Sequence, residues 1–359
     1  MPVDPTATIT VCVMSGTIEV RGWDKNEVRV RSADAGVIDF RRIDKVKEKD
    51  KERSVQTPAT RVDVMVMDKS DKTGKKGDCQ AVADVEVEAP HGATVQVQTR
   101  DGDIHIIGVA AAYAGSQNGD IAIEHATKLV EAGSVGGSIL LRDSAGRINL
   151  STAGGTVEAA NVKATSADDT FEVATVSGDV QLDHISNAKL VVKTVSGGVT
   201  MTGALMRSGE YGFTTWSGDV VLALPTDASF QIVAKLSDSQ NIISDFKLKY
   251  LEMPPQPNQR VTRAPGAPAP RSPTPKVQPP AKTPQPSVEA SAKAPEPGVA
   301  SAANTAPPAV KGAPTGTVVI RPSVVVAPFA LRRIVATCGT GDANIAVNSF
   351  SGSLRLKKI

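Results

Sequence analysis

Aromatic residues are scarce in this 359-residue chain, with two Trp, three Tyr and seven Phe making up 3% of it. That is few for an enzyme built around an apolar pocket, and small and β-branched residues take their place. Cysteine is scarcer still. Cys12, Cys79 and Cys338 lack CxxC spacing, so at most one disulfide can form and the pairing stays open. No apolar run approaches the ~20 residues of a membrane-spanning helix. A net charge of +2, from 40 basic and 38 acidic residues, gives no global field that would collect nucleic acid. The opening stretch "MPVDPTATIT" has neither a basic n-region nor an apolar h-region, so no signal peptide is expected in it and the compartment stays undetermined. No P-loop, dinucleotide fingerprint or GxSxG elbow occurs.

One short phrase is abundant instead. "TVSGDV" at Thr175–Val180 returns as "TVSGGV" at Thr194–Val199, flanked each time by alternating apolar residues. With the glycine as anchor, a small or β-branched residue precedes it by three and an apolar residue follows by two. The pattern centres on Gly16, Gly102, Gly119, Gly137, Gly155, Gly178, Gly197, Gly218 and Gly352. From Gly102 to Gly218 the copies are contiguous, with steps of 17 to 23 residues. Internal self-similarity of this kind decides a fold before any local reading does.

Both flanks read as half-buried strands of period two. Phe171, Val173 and Thr175 are odd-numbered, whereas Val180 and Leu182 are even, so the inward face slips by one residue at the glycine. Within a continuous strand such a slip would turn every later side chain outward. Each copy is therefore read as strand, corner, strand, with the glycine expected to take positive φ. On that reading Gly178→Val should cost more than ~2 kcal/mol. A step this short has no room for a helix and suits one coil of a β-solenoid. The expected fold is all-β, a β-solenoid or β-helix-like stack of short strands with glycine corners, interrupted by a disordered Pro-rich loop. An antiparallel meander turning at the glycines stays open as the alternative.

Along the chain, residues 1–35 read as N-terminal strands closing on the solenoid. Residues 36–90 hold a charged extension and the strands that lead into the array. The segment Arg41–Arg53, with seven basic and four acidic residues, reads as a solvated hairpin or short helix. Residues 91–252 form the contiguous array. Residues 253–316 form a Pro-rich insertion, and nineteen of the 24 prolines lie between Pro254 and Pro328. Such composition cannot bury enough apolar surface to offset ordering entropy. Residues 317–359 deliver the ninth copy, so they should rejoin the array. The terminal "RLKK" is expected to blunt an exposed last rung with cations.

Chemistry is harder to find. Asp103, Asp120, Asp179 and Asp219 follow their corner glycines, but Thr17, Ser138, Thr156, Gly198 and Ser353 stand there in the other copies. Turn capping accounts for this better than calcium, whose β-rolls repeat every nine residues. His91, His105, His125 and His184 lack zinc-site spacing, and His105 falls on an outward strand position. No metal, cofactor or catalytic residue is assigned. An enzymatic alternative would need outward carboxylates and cations of neighbouring coils to converge; Glu124, Arg142, Asp143, Glu158 and Lys193 are the candidates, without an obvious cluster.

The stretches "GTIEVRGWDKNEVRV", "VEVEAPHGATVQVQTRDGDIHIIGV", the "TVSGDV", "TVSGGV" and "TWSGDV" phrases, "NIISDF" and "GTGDANIAVNSFSGSLRL" together resemble the bacterial putative-adhesin family of β-strand-repeat domains of unknown function. The resemblance covers nearly all of the chain outside the charged segment and the Pro-rich insertion. It implies a non-catalytic adhesin or envelope-associated scaffold, with an unknown protein or glycan at a cell surface as partner. A glycan-active β-helix enzyme and an envelope-sensing regulatory partner are the alternatives. These motifs are structural, so fold transfers through them more readily than function.

Overall fold

The computed structural model describes residues 1–33, 35–43, 58–68, 79–237, 242–251 and 331–359. Most of the charged stretch, the Pro-rich insertion (253–316) and the first part of the C-terminal segment (317–330) lie outside the described residues. The described chain is all strand and turn, in one sheet of 14 strands and a second of 12. Each rung gives one strand to each sheet. Thr170–Thr175 lies in the first and Val180–Ser186 in the second, with Gly178 at the corner between them.

Successive rungs pair in parallel and in register. Phe171 lies opposite Leu190, which lies opposite Tyr211; Val180 lies opposite Val199, which lies opposite Val220. Parallel pairing through the whole array excludes the antiparallel meander, because a hairpin turn can only join antiparallel neighbours. The core is the narrow space between the sheets. Phe171, Val173, Val180 and Leu182 are all at most 2% exposed, as the odd-then-even alternation requires. The larger buried rings, Phe171, Tyr211, Phe213 and Phe230, belong to the later rungs, and Ile and Val fill the earlier ones.

The two termini are threaded one rung in from the ends. Val3–Cys12 lies between Ala59–Asp68 and Thr94–Gln98. At the far end, Ala343–Ser349 lies between Glu210–Thr215 and Phe230–Leu236, and Leu354–Lys358 between Val220–Leu224 and Ile242–Ser244. The "RLKK" segment is therefore a paired inner strand and not an exposed edge. Edge control falls to antiparallel strands instead: Ala35–Arg42 covers Ala59–Asp68, and Arg332–Cys338 covers Phe230–Leu236. Reversing direction ends the parallel template that a further rung would need. A disulfide ties Cys12 to Cys79, with Cα atoms 5.0 Å apart, and Cys338 is free.

The corner glycines form a column, and its physics differs from the expectation. Only Gly16 has a positive φ, at 112°; Gly102, Gly119, Gly137, Gly155, Gly178, Gly197, Gly218 and Gly352 do not. The constraint is close approach. A Cβ on Gly178 would fall against the carbonyl oxygen of Gly155, far inside the 3.0 Å that real Cβ atoms keep, and the same holds from Gly102 through Gly352. At Gly119, Gly137, Gly155, Gly178, Gly197 and Gly352 the hydroxyl three residues earlier closes the corner. Thr152 Oγ1 accepts from the Gly155 N–H at 3.2 Å and donates to the Gly137 carbonyl of the preceding rung at 2.9 Å. Ser116 and Ser134 make the same pair of bonds. These hydroxyls are buried, so an apolar replacement would leave backbone groups unpaired.

Candidate functional site

The other corner of each rung shapes the outer face of the second sheet. Six residues after their corner glycines stand Gly108, His125, Asp143, Asn161, His184 and Gly203, all with positive φ between 48° and 130°. Pairing of the adjoining strands sets them side by side as a second column. Gly, Asn, Asp and His are the residue types that enter the left-handed region most readily. This column accounts for His125 and His184 as turn formers. Its signal was legible as a fixed offset from each glycine, but the offset carries different residue types and is easily missed.

Just before this column lies a groove of about 180 Å³. Two in-register rows line it. Arg142, Ala160, Asp183 and Thr202 form the row beside the turn, one residue from each of four successive rungs. Leu140, Glu158, Gln181 and Thr200 form the second row, two residues earlier on the same strands. Because Ala160 is small, the floor drops between Arg142 on one side and Asp183 on the other. Asp183 and Arg142 are two rungs apart, which at ~4.8 Å per strand is roughly 10 Å. His184 Nδ1 sits 2.9 Å from Asp183 Oδ1, and Asn161 Nδ2 donates to Asp143 Oδ1 at 3.0 Å along the rim. Arg142 and Glu158 make no ion pair with any described residue.

A second groove, nearer the N-terminus, is lined by Glu19, Arg21, Arg29, Arg31, Glu86 and Glu88. Four of its six charges pair: Arg29 Nη1 lies 3.1 Å from Glu88 Oε2, and Arg21 pairs with Glu19. Trp23 beside it is covered by the cations of Lys25 and Arg29 at 5.0 and 4.8 Å from the ring centre.

The sequence candidates are therefore partly brought together. Arg142 and Glu158 share one groove, joined by Asp183, which sequence reasoning missed. Glu124 lies opposite Arg142 on the neighbouring strand, and Asp143 forms the turn. Lys193 sits on the other sheet. The recurring aspartates hold the rungs together: Asp120 accepts from the Ser138 N–H at 2.7 Å, Asp179 from the Gly198 N–H at 2.8 Å, and Asp219 from the Ser353 N–H at 2.7 Å. The two Ser353 bonds and the Arg355 charge hold the Asp219 carboxyl below the usual carboxylate range. His91 Nδ1 lies 2.6 Å from the Gly108 carbonyl, and His105 faces outward. Among the described residues, no three His, Cys, Asp or Glu side chains group as a metal site.

A stack of parallel two-strand rungs, with hydroxyl, glycine and carboxylate ladders along its corners, defines a repeat-built β-solenoid module. The chain belongs to the Toastrack DUF4097 family, a domain of unknown function, whose family model matches residues 4–253. The family match ends where the composition turns Pro-rich, and the C-terminal strands from Arg332 onward lie beyond it in sequence. A crystal structure of a putative cell adhesion protein from Clostridium sporogenes is similar at 7% identity and a TM-score of 0.21, covering 100% of this chain and 97% of that one. No curated protein matches the chain.

Proposed function

We propose that this chain is a non-catalytic binding and scaffold module working in the cell envelope or outside the cell. The observation that carries the reading is where the repeated polar groups go. The carboxylates of the repeat and the hydroxyls of Ser116, Ser134 and Thr152 are engaged in bonds between rungs, so the repeat builds a stack and leaves outward rows of side chains as contact surface. The groove on the second sheet is open to water, with Arg142, Glu158, Gln181 and Asp183 all exposed. Stabilising a transition state by fixed charges relies on a site that excludes water, which this groove does not provide. The Cys12–Cys79 disulfide supports an oxidising compartment, since such bonds rarely persist in a reducing cytosol.

Cell fractionation with an antibody tests the location. The expected result is an envelope or extracellular pool with Cys12 and Cys79 oxidised; a purely cytosolic pool with both thiols reduced would overturn the reading. Incubating the purified chain with glycans tests the absence of catalysis. Turnover that disappears in Glu158→Gln would make the protein an enzyme.

A further inference from the structure

We propose that the groove bounded by Arg142, Glu158 and Asp183 is an oligosaccharide-binding site selective for amino sugars carrying free ammonium groups. This rests on the binding-module reading above and names the ligand class of one surface.

Three features of the groove lead to it. First, two of its three charged side chains are left without an ionic partner, and the third, Asp183, lies beside His184. Arg142 and Glu158 have no ionic partner among the described residues, whereas in the N-terminal groove Arg21 pairs with Glu19 and Arg29 with Glu88. Exposed charges that neutralise one another offer little to a ligand; charges set side by side but unpaired keep their hydrogen-bonding capacity. Second, the hydrogen-bonding groups come at the rung spacing. Glu158, Gln181 and Thr200 follow one another on successive strands at ~4.8 Å, with Asp183 and Thr202 alongside, a step comparable with the length of one pyranose ring. A chain of sugar rings laid across the strands would meet one donor or acceptor set per ring. Carboxylate, amide and guanidinium groups can each bind vicinal hydroxyls with two atoms at once.

Third, the charge balance selects within glycans. Glu158 and Asp183 line the groove, and Glu124 and Asp143 border it, against the one lining cation, Arg142. The surplus of carboxylates attracts an ammonium group and repels a uronate. The depression over Ala160 places such a group within reach of both Glu158 and Asp183, while Arg142 donates to a neighbouring ring oxygen or hydroxyl.

The test is calorimetric titration of the full chain with three probes: a glucosamine hexamer, its N-acetylated counterpart and a galacturonic acid hexamer. The glucosamine hexamer is expected to bind, more weakly as salt rises. The N-acetylated hexamer should bind at least tenfold more weakly, and the uronate should not bind. A double variant, Glu158→Gln with Asp183→Asn, should lose at least tenfold in affinity. Glu172→Gln, an exposed position on the other sheet, should leave it unchanged. All these positions are exposed, and equal thermal midpoints will show that the variants fold. Uronate binding equal to that of the amine probe, or undiminished binding by the double variant, would overturn the assignment. If none of the probes binds but the chain still adheres to cells, the groove assignment falls and the binding-module reading stands; if adhesion fails too, both fall.

Discussion

Every rung turns twice, and the two corners solve the same problem by different physics. At one, the backbone of successive rungs passes so close that no side-chain carbon fits, and the residue is glycine in every copy from Gly102 to Gly352. At the other, the chain enters the left-handed region, and His125, Asp143, Asn161 and His184 serve as well as Gly108 and Gly203. Missing space admits one residue type, whereas an unusual dihedral admits several. Invariance of glycine along a repeat therefore signals packing, and a mixture of Gly, Asn, Asp and His signals φ.

The largest effect should come from filling the tight corner. Gly178→Ala is expected to destabilise by about 3 kcal/mol or more, because the added carbon meets backbone that cannot yield without moving a whole rung. The fall in the thermal midpoint measures it. An unchanged midpoint would mean that the corners are free to spread. Next is the hydroxyl that closes the same corner. Thr152→Val keeps the shape but strips the Gly155 N–H and the Gly137 carbonyl of their partner, with an expected loss of about 1–3 kcal/mol in denaturant unfolding.

Opening the Cys12–Cys79 bond, which closes a separation of 67 residues, should cost about 2–4 kcal/mol. It acts mainly on the unfolded chain and so leaves both corners intact; a double variant with Gly178→Ala should be additive. The left-handed corner should tolerate far more. His125→Gly is expected to change stability by less than about 1 kcal/mol, because glycine pays no steric penalty at this φ but gains unfolded-state entropy. His125→Val should lose about 1–2 kcal/mol, since a β-branched residue is strained there. If alanine were tolerated at Gly178 and valine at His125 equally, the distinction between the corners would be void.

The repeat, its glycines and the slip of the inward face by one residue were readable from spacing alone, because each expresses a local periodicity. The cause assigned to the glycines was not. Positive φ and missing space leave the same trace in one sequence, and only the position of the Gly155 carbonyl relative to Gly178 separates them. The threading of both termini was hidden for a related reason. "RLKK" looks like an edge when strands are stacked in chain order, yet Ile242–Ser244, earlier in sequence, lies outside it. The groove was hidden because Glu158 and Asp183 are 25 positions apart in number and one rung apart in space, a proximity set by the longer step between Gly155 and Gly178.

The smallest expected effect concerns the carboxylate ladder beside the glycine column. Asp219 accepts the Ser353 N–H at 2.7 Å and the Ser353 hydroxyl at 2.8 Å, and these bonds, helped by Arg355, lower its pKa against a small opposing effect of burial. A carboxyl lowered in the folded state binds its proton more readily when unfolded. Its stabilisation is therefore complete above the unfolded value, near 4, and is lost as pH falls through the folded one. The group is largely exposed, so solvent screening keeps the effect small. Asp219→Asn should flatten the acid limb of the stability curve below about pH 5 and leave the neutral plateau nearly level. Unfolding midpoints measured at intervals down to pH 2.5 would check it. An acid limb identical in variant and parent would show that the Asp219 carboxylate gives no help in holding the C-terminal rung threaded beside it.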